Sequence, residues 1–242
     1  MNYKKLAEFY DDFIYDIDYD KIINFYKKIF NQNQFNYRDI LELGCGTGNV
    51  TSKLIGYNVY AMDYSEEMLS IAREKLGNKR NIRFLNMDIR NFNLNKKFDV
   101  IIASLDVINY IVDSKDLYSL FENVKRHSHE ESIFIFDINS HYKISEYIGN
   151  NTFTDENKDG LYIWQGNYDE ETKINDYLLT FFIKDNQNKY DRFCEVHKER
   201  AYTVEEITKI LISSGFKDIK VFDDFEFKEI NKDSMRMTFV VK

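Results

Sequence analysis

The 242-residue sequence contains no proline. That absence removes proline-rich ligand segments, cis-prolyl turns and every catalytic motif that requires a proline. Cysteine is almost as scarce. Cys45 and Cys194, far apart and in different contexts, offer neither a disulfide framework nor a zinc-ligand spacing. A chain this long buries enough surface to fold without staples or a metal, so none is expected. Long apolar runs are missing too: none approaches the ~20 residues that cross a bilayer. Residues 1–9 lack the apolar stretch of a signal peptide, which points to a cytoplasmic protein without a membrane partner. A basic excess is also absent. Forty-one acidic against thirty-three basic side chains give a net charge of −8, which repels polyanions. The lysine pairs at 4–5, 27–28 and 96–97 lie among acidic neighbours, so nucleic acid is not the expected partner.

What is present describes one core with an elaboration. Apolar residues at three-to-four spacing predict two helices within 3–30, with the acids at 16–20 supplying caps between them. From Asp39 the texture changes to short, unalternating apolar runs at 40–43, 59–62, 82–85, 100–103 and 133–138. Helical stretches around 50–55, 66–76 and 116–125 separate them. That alternation predicts a parallel sheet covered on both faces. Ser65 is a helix N-cap, followed by Glu66 and Glu67 where the dipole favours acids. Residues 151–200 break the rhythm: antiparallel strands at 162–168, 177–184 and 192–199, with polar connectors at 155–160, 169–173 and 185–189. Thr203 and Glu206 make a capping box, Gly215 closes that helix, and strands at 216–222 and 235–241 end the chain. His127 and His129 fall in a polar turn and are expected in solvent.

The most informative stretch runs Leu41-Glu42-Leu43-Gly44-Cys45-Gly46-Thr47-Gly48-Asn49, after a strand and before a helix. Gly44, Gly46 and Gly48 can take positive φ and leave room for a ligand on the backbone. Three readings compete. A dinucleotide loop needs a glycine where Asn49 stands, and a P-loop needs a lysine that is missing. The third is an S-adenosylmethionine loop. Glu42 favours it, because a carboxylate there repels a pyrophosphate but suits an ammonium and a sulfonium. A loop-bracing acid is the competing reading. Asp63, ending the second strand, can accept from both hydroxyls of a ribose, in either an NAD or an adenosylmethionine. Asp88, ending the third, can accept from an adenine amino group, with the Ile89 backbone serving the ring. Cys45 reads as a small packing residue.

These motifs, with Met62-Asp63-Tyr64-Ser65-Glu66-Glu67-Met68 and Phe98-Asp99-Val100-Ile101, resemble the class I S-adenosylmethionine-dependent methyltransferases over roughly residues 38–140. The Ala7-x-x-Tyr10-Asp11 opening and the β-rich insertion are similar to a bacterial branch whose substrates are mostly unassigned. The resemblance implies an α/β fold, a Rossmann-like doubly wound seven-stranded sheet with its last strand antiparallel. It implies a cofactor-binding core over 1–150 and 201–242, an N-terminal helical cap over 1–36, and a β-rich lid over 151–200. Tyr64 and Met68 would flank the adenine, and Ser104 and Leu105 would pass beneath the cofactor.

The segment after the fourth strand faces the transferred methyl. There Asp106 is a candidate base or substrate anchor, against a helix-capping reading. Asn109 and Tyr110 are candidates to orient an acceptor. Tyr10 and Tyr19 can close over the sulfonium, with core packing as the alternative. Asp137, Asn139 and Tyr142 are further pocket candidates. Enzymes that methylate exocyclic amines of bases carry a Pro-Pro turn at that place, and cytosine C5 enzymes carry Pro-Cys. Ser104-Leu105-Asp106-Val107 matches neither. The expected activity is methyl transfer to an oxygen or nitrogen of a small-molecule acceptor. A non-catalytic adenosylmethionine-binding partner subunit and an RNA methyltransferase are the alternatives. The acceptor and oligomeric state are not legible.

Overall fold

A computed structural model describes residues 17–32, 35–157, 160–185 and 187–242. Tyr10 and the helix expected over residues 3–14 lie outside the described residues, apart from which the chain forms two sheets. The first helix, α1 (Tyr19–Gln32), starts where Asp18 Oδ1 accepts the Lys21 N–H at 2.9 Å. Its Ile22, Phe25, Tyr26, Ile29 and Phe30 form one buried stripe. Then follow β1 (Asp39–Leu43), α2 (Asn49–Lys53), β2 (Asn58–Asp63), α3 (Glu66–Leu76), β3 (Ile82–Asn86), β4 (Phe98–Ala103), α4 (Ser114–Arg126) and β5 (Ser128–Asn139). The insertion holds β6 (Thr152–Asn157), β7 (Gly160–Asp169), β8 (Ile174–Lys184) and β9 (Tyr190–Arg200). The chain returns through α5 (Val204–Ser213), β10 (Ile219–Asp223) and β11 (Arg236–Val241).

The seven-stranded sheet has the order β10-β11-β5-β4-β1-β2-β3, with β11 antiparallel to both its neighbours. Alternate residues of its inner strands enter opposite cores. Ile40, Val59, Val100 and Ile102 pack beneath α1 and α3. Leu41, Met62, Ile101, Phe134 and Phe136 pack beneath α4 and α5. Burial on both faces explains why these strands read as continuous apolar runs. From β1 the chain steps outward to β2 and β3, then returns to β4 on the other side of β1. That reversal opens a crevice at the carboxyl ends of β1 and β4.

Helix ends follow their sequence signals. Ser65 Oγ accepts the Met68 N–H at 3.2 Å. Thr203 and Glu206 exchange both capping-box bonds. Past α5, Phe216 N–H bonds Leu211 O and Gly215 N–H bonds Ile212 O, with Gly215 at φ +90°.

The insertion forms a separate antiparallel sheet ordered β6-β7-β8-β9. It has four strands where three were read, because residues 152–157, partly assigned to a connector, pair along β7. Buried hydrogen bonds join this sheet to the core: Asn175 Nδ2 donates to Ile144 O and Gly149 O at 2.9 Å each, and Asn139 Nδ2 donates to Glu199 Oε2 at 3.0 Å.

Both histidines expected in solvent are held by protein instead. His127 is 2% exposed; its ring lies between Asn123 O, 2.8 Å from Nδ1, and the Leu94 N–H, which donates to Nε2 at 3.1 Å. His129 Nε2 meets Asp99 Oδ1 at 3.0 Å. Among the described residues no helix is long and apolar enough to cross a membrane.

Candidate active site

The crevice is built from turns that follow strands. After β1, Gly44, Gly46 and Gly48 adopt φ of +70°, +52° and +82°. At Gly44 a Cβ would stand 2.6 Å from Val107 Cγ2, so the glycine permits a close approach between two turns. At Gly46 a Cβ would meet nothing within 4 Å, and the residue lines the cavity. Asp63, ending β2, ties the loop down: Oδ2 accepts the Gly46 N–H at 2.8 Å and Oδ1 accepts the Ser65 N–H at 2.9 Å. Each oxygen keeps a further lone pair for a ligand. Beside it Tyr64 is 76% exposed, a ring at the cavity wall without a core to pack into.

Glu42 lies at the inner end, 2% exposed, where Oε2 accepts from Thr51 Oγ1 at 2.6 Å. Burial, against the Thr51 hydrogen bond and assisted by the Asp63 charge, pushes its carboxyl up to about 8. Burial likewise pushes the Cys45 thiol upward, with Glu42 and Asp63 adding to it, which leaves Cys45 an inert packing residue. Asp88 pairs with the Arg90 guanidinium and accepts the Arg90 N–H at 2.9 Å, so its carboxyl sits below the ordinary range. Asp88 and Ile89 both line the cavity, as does Met68.

The turn after β4 is strained. Leu105 and Asp106, neither a glycine, have φ of +64° and +58°. The Asp137 carboxylate holds them by accepting the Leu105 N–H at 2.6 Å and the Asp106 N–H at 3.0 Å. Arg236, 14% exposed in its side chain, binds Asp137 and donates to Asp106 Oδ1 at 3.0 Å. Before it Ser104 shares a 2.7 Å hydrogen bond with Tyr26.

The cavity, about 670 Å³, brings together Glu42, Gly44, Cys45, Gly46, Asp63, Tyr64, Met68, Asp88, Ile89, Ser104, Leu105, Asp106 and Tyr110. Its volume is that of a small-molecule site, roughly 300–1,000 Å³. Gly48 stands behind it against Ala72 and Leu76. Tyr19 lines the mouth, where its hydroxyl accepts from Asn49 Nδ2 at 3.0 Å.

Three candidates have other work. Asn109 is fully buried: its amide donates to Asn139 O and Arg200 O, and its oxygen accepts the Asn139 N–H. It therefore clamps β5 to the end of β9, with both amide hydrogens engaged and its side chain buried away from the cavity lining. Asn139 joins that clamp, and Asp137 braces the strained turn from below. Two cavity residues escaped the sequence reading. Glu195 and His197, from β9, line it alongside Tyr110 and Ile111. Their signal was available, since residues two apart on a strand share a face.

A doubly wound sheet with a glycine loop after β1 and an acid after β2 defines the Rossmann-like nucleoside-binding class. A methyltransferase-domain family model matches residues 40–131. The Bacillus subtilis (strain 168) protein named "Putative methyltransferase YqeM" is 34% identical over 244 residues, 99% of this chain and 96% of its own. The crystal structure of a S-adenosylmethionine-dependent methyltransferase from Clostridium acetobutylicum ATCC 824 is 38% identical, with a TM-score of 0.91 over 99% of this chain and 98% of that one. The sugar N-methyltransferase KedS8 from Streptoalloteichus sp ATCC 53650, 17% identical with a TM-score of 0.78 over 96% and 91%, shares the fold. The chain belongs to the S-adenosylmethionine-dependent methyltransferases.

The residues fit that cofactor. The loop leaves open the space a Cβ at Gly46 would fill. Glu42 is a buried carboxylate whose one hydrogen bond among the described residues comes from Thr51, which suits a cationic ligand group.

Proposed function

We propose that the protein transfers the methyl group to an oxygen or nitrogen of a small molecule, bound between the turn after β4 and the insertion sheet. The observation that carries this reading is the continuity of the cavity. It runs from the glycine loop past Leu105 to Tyr110, Glu195 and His197, so the cofactor loop and the insertion line one open cleft. The net charge of −8 disfavours an RNA acceptor.

The cofactor supplies a methyl group already activated on a sulfonium. What the chain contributes is alignment, and orientation alone can account for much of the rate. Asp63 accepts from the ribose hydroxyls, Glu42 attracts the ammonium, and Tyr64 and Met68 flank the adenine. Ile89 serves the adenine through its backbone, with Asp88 fixed by Arg90 at the edge of that subsite. The rigid turn at Leu105 and Asp106 sets the floor under the reacting centre. Asp106, with one oxygen engaged by Arg236, is an acceptor anchor rather than a mobile base. Tyr110 lines the acceptor end of the cavity.

The test uses adenosylmethionine labelled in its methyl group and an extract of Bacillus subtilis, the organism of the relative described above. After ultrafiltration the label is expected in the small-molecule fraction. Label on RNA or protein, or none transferred by a protein that binds S-adenosylhomocysteine in a calorimeter, overturns the reading.

A further inference from the structure

The acceptor end of the cavity holds a pair of side chains that no role above employs. His197 Nε2 lies 2.9 Å from Glu195 Oε2 on the inner face of β9. Both side chains are partly buried, and both line the cavity. Tyr110 meets the imidazole edge-on, with ring centroids 5.8 Å apart at 81°, which limits the ring's rotation. A carboxylate can only accept, so the Glu195 contact calls for a hydrogen on Nε2. In the neutral ring the lone pair is then on Nδ1, which makes no hydrogen bond with a described residue. An imidazole oriented by a carboxylate, with its basic nitrogen left over, has the arrangement of a general base.

We propose that His197 is the general base for methyl transfer and that Glu195 is its positioning residue. The acceptor is then an amine or a hydroxyl that enters with its proton, not a carboxylate. This inference rests on the small-molecule methyltransferase reading above. A carboxylate is already ionised at neutral pH and needs no base. It would also approach Glu195 and Asp106 against like charge. An ammonium has no lone pair to attack with until a proton leaves. In the step the acceptor's proton passes to His197 Nδ1. The lone pair so freed, or held by the hydroxyl oxygen, forms the new bond to the methyl carbon. The carbon–sulfur electron pair returns to sulfur, which leaves as a neutral thioether. The imidazolium keeps its Nε2 hydrogen bond to Glu195 throughout.

The experiment combines ¹⁵N NMR of the full-length complex with S-adenosylhomocysteine and the labelled-extract assay. In the wild-type complex His197 is expected as the Nε2–H tautomer, and Glu195→Gln should mix the two tautomers. A wild-type Nδ1–H tautomer would point the lone pair at Glu195 and overturn the proposal. His197→Gln is expected to slow labelling of small molecules about 100-fold or more. Its affinity for S-adenosylhomocysteine should match wild type, which excludes a folding defect. A slowing of less than about tenfold in that variant overturns the base assignment. The transferred label should survive mild alkali, as a methylamine or methyl ether does. Its release as methanol would identify a carboxylate ester and overturn the proposal while leaving small-molecule transfer intact. Absence of any labelled small molecule with wild type overturns the broader reading, and this inference with it.

Discussion

At the scale of single residues, Glu42 carries the clearest linkage between burial and binding. Its carboxyl sits at about 8 in the unliganded protein because burial opposes the charge. Binding of an ammonium beside it requires the ionised form, so a proton must leave below that pH. Affinity for S-adenosylhomocysteine should therefore rise between pH 6 and 8, approaching about tenfold per unit. Proton release should appear in calorimetry as a dependence on buffer ionisation enthalpy. Glu42→Gln should bind more weakly and with a flat profile; a flat profile in the wild type would remove Glu42 from the ammonium. Asp63→Ala makes a different demand. It deletes charge-assisted hydrogen bonds and should cost about 1.5–3 kcal/mol of cofactor affinity. Unchanged affinity would refute the ribose assignment. Both acids were legible because Glu42 stands just ahead of the glycine loop and Asp63 ends the neighbouring strand. His127 was not: only the fold sets its ring between Asn123 O and the Leu94 N–H, 33 positions from Leu94.

At the scale of elements, the loop after β1 separates two uses of glycine. Gly44→Ala would add both positive-φ strain and a 2.6 Å clash with Val107. Gly46→Ala would add strain alone, since its Cβ meets nothing within 4 Å. Thermal unfolding should therefore fall further for Gly44→Ala, while Gly46→Ala should lose more cofactor affinity for each degree of melting temperature lost. Equal ratios in the two variants would mean that Gly46 does not shape the ligand's space. The turn at Leu105 and Asp106 depends on support from far away in sequence. Arg236 is 99 residues from Asp137, which in turn braces the turn through two N–H groups. Arg236→Met would leave Asp137 as an unpaired buried charge, at a cost of about 3–5 kcal/mol measured by denaturant unfolding. A loss below about 1 kcal/mol would show that the pair does not hold the turn. The inner strands were readable because burial on both faces makes them continuously apolar. The extra strand β6 was not, since five of the six residues in Thr152-Phe-Thr-Asp-Glu-Asn157 are polar and leave no apolar alternation to read.

For the whole molecule, the buried carboxyls decide how stability responds to pH. Glu42 lies in the core sheet and Glu199 where the insertion joins it. Burial raises both, reinforced at Glu199 by the Asp106 charge and opposed by Asn139 and Lys143. In the unfolded chain such groups ionise near 4.5. Between that pH and their raised folded values the native state binds more protons than the unfolded state. Stability must therefore fall as pH climbs through this window and level off above it. At the acid end the sign reverses. Asp88, drawn down chiefly by Arg90, and Asp39, where Lys96 and Asn58 outweigh burial, are held below the ordinary range. Their contribution is present above that range and is lost as they protonate on acidification. The unliganded protein should thus melt highest near pH 5 and progressively lower toward pH 8. The double variant Glu42→Gln, Glu199→Gln should flatten the alkaline limb, since each amide stands in for the protonated acid. Saturating S-adenosylhomocysteine should reduce the loss in the wild type, because the ligand binds the ionised form of Glu42. A wild-type melting temperature that rises from pH 5.5 to 8 would contradict the protonated state of both buried acids, and with it the pH dependence expected for cofactor binding.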